Sequence, residues 1–243
     1  MRTFATALRL MERFPSFRFL CSQAQQYAWV REDSPELFQQ IASRVEDGSW
    51  EAGGAMWVEP DCNVPCGESL IRQILHGCDW WSEHLGEAAV QRHVYLPDTF
   101  GFPASLPQII RGSGIDTFIT NKISWCERNK FPHVSFDWIG IDGSRVLTHM
   151  TPGHNYNSSI LPEDLCFAEK NLVELDQCQV SAWLQPFGFG DGGGGPTAEQ
   201  VQRVDNMADV EGLPGVKPTR VDDFCEVLHH QRELHLATGR PFH

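Results

Sequence analysis

No stretch of the 243 residues approaches the roughly 20 uninterrupted apolar residues that a bilayer-crossing helix needs, so a membrane span is excluded and a soluble product expected. The first ten residues, MRTFATALRL, lack the apolar core and small-residue cleavage site of a secretory signal; they have the spacing of an amphipathic helix. Basic residues are few, 19 Lys and Arg against 32 Asp and Glu, giving a net charge of -13. A nucleic-acid surface needs clustered cations that are missing here, whereas a neutral sugar tolerates an acidic protein. Dense cysteine spacing is absent too. The eight cysteines (Cys21, Cys62, Cys66, Cys78, Cys126, Cys166, Cys178, Cys225) are scattered, which excludes a disulfide scaffold and points to reduced thiols in the cytoplasm. Cys62 and Cys66 have the spacing of half a metal site, but no second Cys or His pair accompanies them, which argues against a structural zinc there. The glycine run at 192–195 has neither the Lys-Ser/Thr ending of a phosphate loop nor dinucleotide-fingerprint spacing. With no internal repeat of 20 to 50 residues and no linker, residues 1–243 are expected to form a single domain.

What is present is a 41% hydrophobic chain, enough for a sizeable core, in which strand-like and helix-like segments alternate. Helices are expected from the start to about Arg13, from Ser34-Pro35 to Gly48, from Gly67 to Leu85 with Gly86 as its stop, and from Glu163 to Leu175. Further helices are expected from Pro196-Thr197 to about Val210 and from Asp222 to about Glu233. Strands are expected at 17–22, 50–58, 92–96, 117–120, 181–187 and 217–221, the first followed by a polar tail at 23–27. Asp142-Gly143 between 135–140 and 145–149 is a hairpin signal. The alternation implies a mostly parallel sheet, open or closed as a barrel, with one antiparallel excursion.

Residues 94–108, VYLPDTFGFPASLPQ, form the stretch with most chemical content: a short apolar run, a Pro-Asp step, a turn through Gly101 and Pro103, and a helix-like segment. Asp98 stands where a strand hands over to a loop, the edge at which α/β proteins place their chemistry. Spacing alone leaves it open whether Asp98 is reactive or only a turn or capping carboxylate.

Together with SQAQQYAW (22–29), GAMWVEPDCN (54–63), GESLIRQ (67–73) and FGFGDGGGGPT (187–197), in that order, this stretch resembles the α-mannosidases of glycoside hydrolase family 38, cytosolic and bacterial type. The resemblance implies a seven-stranded β/α barrel, α-mannoside or oligosaccharide substrates, a zinc-dependent retaining hydrolysis in the complete domain, and Asp98 as both nucleophile and zinc ligand.

Retaining hydrolysis needs two carboxyl groups roughly 5 to 5.5 Å apart, one attacking and one passing a proton. Asp191 is the candidate acid/base because it follows a strand and its flanking glycines permit close approach, although an Asp-Gly loop can simply be an exposed turn. Glu59 and Asp61 are second choices. Phe100, which matches the family's aromatic two residues beyond the nucleophile, joins Trp57 and Trp125 as rings placed to stack on a sugar; most of the eight tryptophans belong in the core. Lys122 and Tyr156 are candidate sugar-hydroxyl partners. The ten histidines are expected to be mainly isolated surface residues, His229 and His230 facing different ways on a helix and His235 and His243 lying near the terminus.

The resemblance also breaks. Family members hold zinc through a His-x-Asp pair on the first strand, the nucleophile and a downstream His; this sequence has no His-x-Asp and opens on a helix. The expectation is therefore an incomplete barrel, a fragment truncated at both ends, that keeps Asp98 alone of the zinc ligands, does not hold zinc stably, has little activity by itself and associates through unpaired sheet edges. A non-catalytic carbohydrate-binding remnant is the alternative, and an incomplete gene model a third possibility.

Overall fold

A computed structural model describes residues 1–176, 180–239 and 242; Cys178 and His243 lie outside the described residues. Helix α1 (Arg2–Arg13) buries Phe4, Ala7, Leu8, Leu10 and Met11, the stripe its spacing implies. Strand β1 (Phe19–Cys21) leads into α2 (Ala24–Asp33), so the expected polar tail at 23–27 is helical, and α3 (Pro35–Glu46) follows with proline in its first turn. Then come β2 (Trp50–Ala52), α4 (Gly67–Leu85), β3 (His93–Leu96), α5 (Leu106–Gly112) and β4 (Thr117–Thr120). The hairpin β5 (Ser135–Ile139) and β6 (Arg145–Met150) precedes α6 (Pro162–Asp176), α7 (Ala198–Asn206) and α8 (Val221–Ala237).

The described strands form two small sheets, β1-β2 and β3-β4-β6-β5, and not the seven-stranded barrel expected from the resemblance. All pairings are parallel except β5 with β6, the hairpin excursion that Asp142-Gly143 signals. The first expected strand is trimmed to Phe19–Cys21, and three others are cut short or absent for local reasons. The second stops at Ala52 because Gly54 and Ala55 take left-handed φ values of 96° and 64°, which no strand continues through. Across 181–187 the only pairing is an isolated bridge, Ser158 with Phe187, since the Leu184 amide donates to His149 Nε2 and not to a neighbouring backbone. At 217–221 the chain stays extended only until Arg220 caps α8.

Alternation along the strands explains the layers. Val94, Leu96, Phe118 and Val146 face α4 and α5, while Tyr95, Ile119 and Leu147 face Val221, Phe224, Cys225 and Leu228 of α8. A separate cluster joins α1, α2 and α3 around Trp50, whose indole N–H donates to Tyr27 Oη at 2.8 Å. The far half of α8 is fastened to β5 by a bidentate pair, Arg232 to Asp137, at 2.7 and 2.6 Å.

Gly77, mid-helix in α4, is where α4 crosses the loop after β2: a Cβ there would stand 2.0 Å from the Ala55 carbonyl oxygen. Gly→Ala inside a helix ordinarily stabilises by about 1 kcal/mol. Gly77→Ala should do the reverse, costing about 1 to 3 kcal/mol by forcing α4 off that loop, and a urea-denaturation midpoint above that of the unaltered chain would refute it.

Candidate active site

The loops that follow β1, β2, β3, β4 and β6 converge at one edge of the sheets. Thr99 Oγ1 donates to Pro60 O at 3.1 Å and Asn63 Nδ2 to Phe100 O at 3.1 Å, tying the loops after β2 and β3. Gly101, at φ 113°, lets Asn63 approach: a Cβ would lie 2.9 Å from its Nδ2. Thr120 Oγ1 donates to Leu96 O at 2.8 Å and Thr151 Oγ1 to Asn121 Oδ1 at 2.7 Å, which holds the ends of β3, β4 and β6 together. All four non-glycine residues with positive φ among the described residues, Gln23, Ala55, His154 and Ile160, sit in these loops. Backbone strain of this kind gathers where surrounding structure must hold a site in shape.

Asp98 lies at the centre of this edge. Lys122, in the single turn after β4, forms an ion pair with its Oδ1, and that oxygen is enclosed although 40% of the Asp98 side chain is exposed. Exposure therefore falls on the rest of the carboxyl group. The ammonium is 12% exposed by side chain and stands 4.6 Å from the Phe100 ring centre, 4.3 Å from Trp125 and 6.0 Å from Tyr156. Trp125 is fixed by its indole N–H, which donates to His154 O at 2.8 Å. Asp98, Phe100, Lys122, Trp125 and Tyr156 are thus brought together. Since Lys122 covers one face of Phe100 and of Trp125, a sugar ring has only their other faces to stack on.

Burial, then the hydrogen bond to Asp98 and the charges of Asp98, Asp191 and Glu59, push the Tyr156 phenol up to about 12, so it donates and is not ionised. Asp191 is exposed, its N–H donating to Asn157 Oδ1 at 3.0 Å, and its charge is among those that raise Tyr156. Glu59 accepts a hydrogen bond from Ser22 Oγ; burial first, and the Asp98 charge second, raise its carboxyl. Asp61 instead holds its own turn, accepting the amides of Asn63 and Val64 at 2.8 Å each. Trp57 donates to Gln25 Oε1 at 3.1 Å and packs near Trp80, and none of its recorded contacts joins it to the Asp98 group.

The residues recorded around Asp98 do not fit a zinc centre. An ammonium pairs with its carboxylate and a phenol stands beside that ammonium, where zinc would need three or four Cys, His or carboxylate donors. Among the described residues one group could share a metal ion, Glu51, His93 and Asp222, with donor atoms within 4.8 Å of one another. It lies at the start of β3, on the order of 15 Å along the chain from Asp98. Its carboxylates and His93 Nδ1 have protein partners, while the buried His93 Nε2 has none among the described residues: Glu51 accepts the Val221 and Asp222 amides at 2.6 and 2.9 Å, and Asp222 pairs with His93 Nδ1 at 2.8 Å and with Arg220 at 3.2 Å. Burial alone would raise Asp222; the bond and charge of His93, and then Arg220, hold it below the ordinary carboxylate range. A cavity of about 440 Å³ opens at this same end, beside His229 and Glu226, away from Asp98.

Sequence reasoning missed this buried triad because its members are 42 and 129 residues apart; the one signal was a Glu between Trp50 and Ala52 in an otherwise apolar strand. It also assigned histidines to the surface, whereas His93 and His149 are at 1% and 0% exposure. Hydrogen-bonding side chains inside parallel strands leave no periodic mark.

The family model for the glycosyl hydrolases family 38 N-terminal domain matches residues 1–241. "Alpha-mannosidase G" of Dictyostelium discoideum is 41% identical over 239 residues, 98% of this chain and 22% of that protein. Human "Alpha-mannosidase 2C1" is 44% identical over 216 residues, 89% of this chain and 20% of that protein. The chain spans about a fifth of the length of these curated relatives. In fold it resembles the crystal structure of an alpha-mannosidase from Enterococcus faecalis, with a TM-score of 0.71 and 18% identity over 95% of this chain and 27% of that one. On the match across residues 1–241, the chain belongs to glycosyl hydrolase family 38 and lies in its N-terminal domain.

Proposed function

We propose that this chain supplies the nucleophile-bearing part of a retaining α-mannosidase acting on terminal α-mannosides. The observation that carries the proposal is the Asp98–Lys122 ion pair inside a ring of Phe100, Trp125 and Tyr156 at the strand ends. Lys122 holds Asp98 Oδ1 in an ion pair, leaving the other carboxylate oxygen to attack the anomeric carbon, with Tyr156 beside it. Asp191, exposed and movable on its glycines, passes the proton to the departing oxygen and then takes one from water. Phe100 and Trp125 offer their open faces to the sugar's apolar side. Trp57 serves the packing of α2 on α4 and not the sugar.

Zinc dependence belongs, in this proposal, to the complete domain of the family and not to the donors gathered at Asp98, and no step is assigned to a metal here. A reducing, cytoplasmic setting accords with the seven described cysteines, all of them free thiols. A carbohydrate-binding remnant is the second possibility, favoured by the lysine that occupies the Asp98 carboxylate.

The test is a chimera in which residues 1–241 replace the matching segment of the Dictyostelium alpha-mannosidase G, assayed on an aryl α-mannoside. Asp98→Asn in that chimera should lower turnover by at least 100-fold, about 2.7 kcal/mol of barrier. Equal turnover in the chimera with and without Asp98→Asn overturns the proposal; bound mannoside with no turnover in either form favours the remnant.

A further inference from the structure

We propose that Glu59, aimed by Ser22, binds a hydroxyl of the sugar held at the Asp98 site and is a determinant of which ring configuration is accepted. This rests on the sugar-binding function proposed above for the site and adds a residue to it. Ser22 follows β1 and Glu59 follows β2, so both stand at the same edge as Asp98. Ser22 is 9% exposed, and its hydroxyl takes one oxygen of Glu59, Oε1. That is the one hydrogen bond recorded for the Glu59 side chain, and Oε2 is not among the enclosed atoms. The second oxygen, with no hydrogen bond and not fully enclosed, is free to take a partner.

A merely structural role fits poorly. Enclosing most of a carboxyl group is costly unless its polar atoms are satisfied, and Glu59 pairs with no cation and bonds one hydroxyl. The groups around it, Asp98, Tyr95, Cys21 and Tyr156, give it no hydrogen bond. Lys122 pairs with Asp98 and not with Glu59. Burial first, and the charge of Asp98, push the Glu59 carboxyl toward its protonated form. A protonated carboxyl donates one hydrogen bond and accepts others, which is the complement of a sugar hydroxyl, itself donor and acceptor. A site that hydrogen-bonds a hydroxyl through a partly enclosed polar group discriminates against an epimer that leaves the group unpaired.

The experiment is binding of methyl α-mannopyranoside and its glucose epimer to the chain, followed by ligand-observed NMR from pH 5 to 8, with Trp125→Ala as an independent probe of the site. Glu59→Ala should weaken mannoside binding by about fivefold, the scale of one net hydrogen bond, and narrow the preference over the epimer. Glu59→Gln, which keeps a donor and an acceptor but cannot ionise, should bind nearly normally and show a flatter pH dependence of affinity than the unaltered chain. If Trp125→Ala weakens binding while both Glu59 variants match the unaltered chain at every pH, the Glu59 inference falls and the site proposal stands. If the unaltered chain binds neither glycoside, or Trp125→Ala changes nothing, the site proposal falls and takes the Glu59 inference with it. Should Glu59→Ala not fold, the pH dependence of Glu59→Gln decides the matter.

Discussion

Acidification from pH 7 to 4 is expected to remove several kcal/mol of stability, and His149 is the reason. This imidazole, on β6, is fully buried and links three segments: Nδ1 lies 3.0 Å from Ser135 Oγ on β5, and Nε2 accepts the Leu184 amide at 3.3 Å. Because Nε2 must be the acceptor, the neutral ring carries its proton on Nδ1 and donates it to Ser135. Burial pushes its pKa down to about 3 from an ordinary 6.5. The unfolded chain therefore binds a proton that the native chain refuses across this interval, so stability is complete above pH 6.5 and lost as pH falls toward 3. At 1.36 kcal/mol per unit, the full interval is worth about 5 kcal/mol and the part down to pH 5 about 2 kcal/mol, against a total of roughly 5 to 15 for a domain. The raised carboxyls of Glu51 and Glu59 act with the opposite sign, gaining stability as they protonate. Urea midpoints at stepped pH for the unaltered chain and for His149→Gln isolate the histidine. The variant should be less stable at pH 7 and its dependence between pH 6.5 and 4 much flatter; parallel curves would refute the assignment.

Glu51→Ala should cost about 4 kcal/mol. Its carboxylate accepts the first two amides of α8, Val221 and Asp222, so a residue of β2 supplies the cap that Arg220 does not. Removal strands two buried N–H groups at about 1 to 3 kcal/mol each and unsettles the Asp222–His93 pair beside them. Glu51→Gln retains one acceptor and should cost about half as much. Thermal melting reads the loss, and hydrogen exchange at Val221 and Asp222 localises it. A change below 1 kcal/mol in Glu51→Ala would show that α8 does not depend on this cap. A metal chelator should leave the midpoint where it was, because the two carboxylates are already engaged by the first amides of α8, by His93 and by Arg220.

Much of this was legible in the chain. The Pro97-Asp98 step, the Asp142-Gly143 turn and the Gly86 stop act within a few residues, and each appears where local chemistry puts it. Lys122 and Trp125 follow a strand as Asp98 does, and strand ends in a parallel sheet share an edge, so their meeting was implicit in the topology. Closure was not. A strand that ends in two left-handed residues after Ala52, and an amide at Leu184 diverted to a histidine ring, depend on side chains far away in sequence. Trp57 also follows a strand, and its contacts with Gln25 and Trp80 come from residues far away in sequence that no local pattern announces.

The attachment of α8 also has a temporal side. Its first turn is anchored to Glu51, 170 residues earlier, and its far half to Asp137, 95 residues earlier. During synthesis the apolar faces of Tyr95, Ile119 and Leu147 emerge from the ribosome long before the helix that shields them. A nascent chain of this protein must stay unaggregated through that delay, and a chaperone arriving in the interval would find those three side chains waiting.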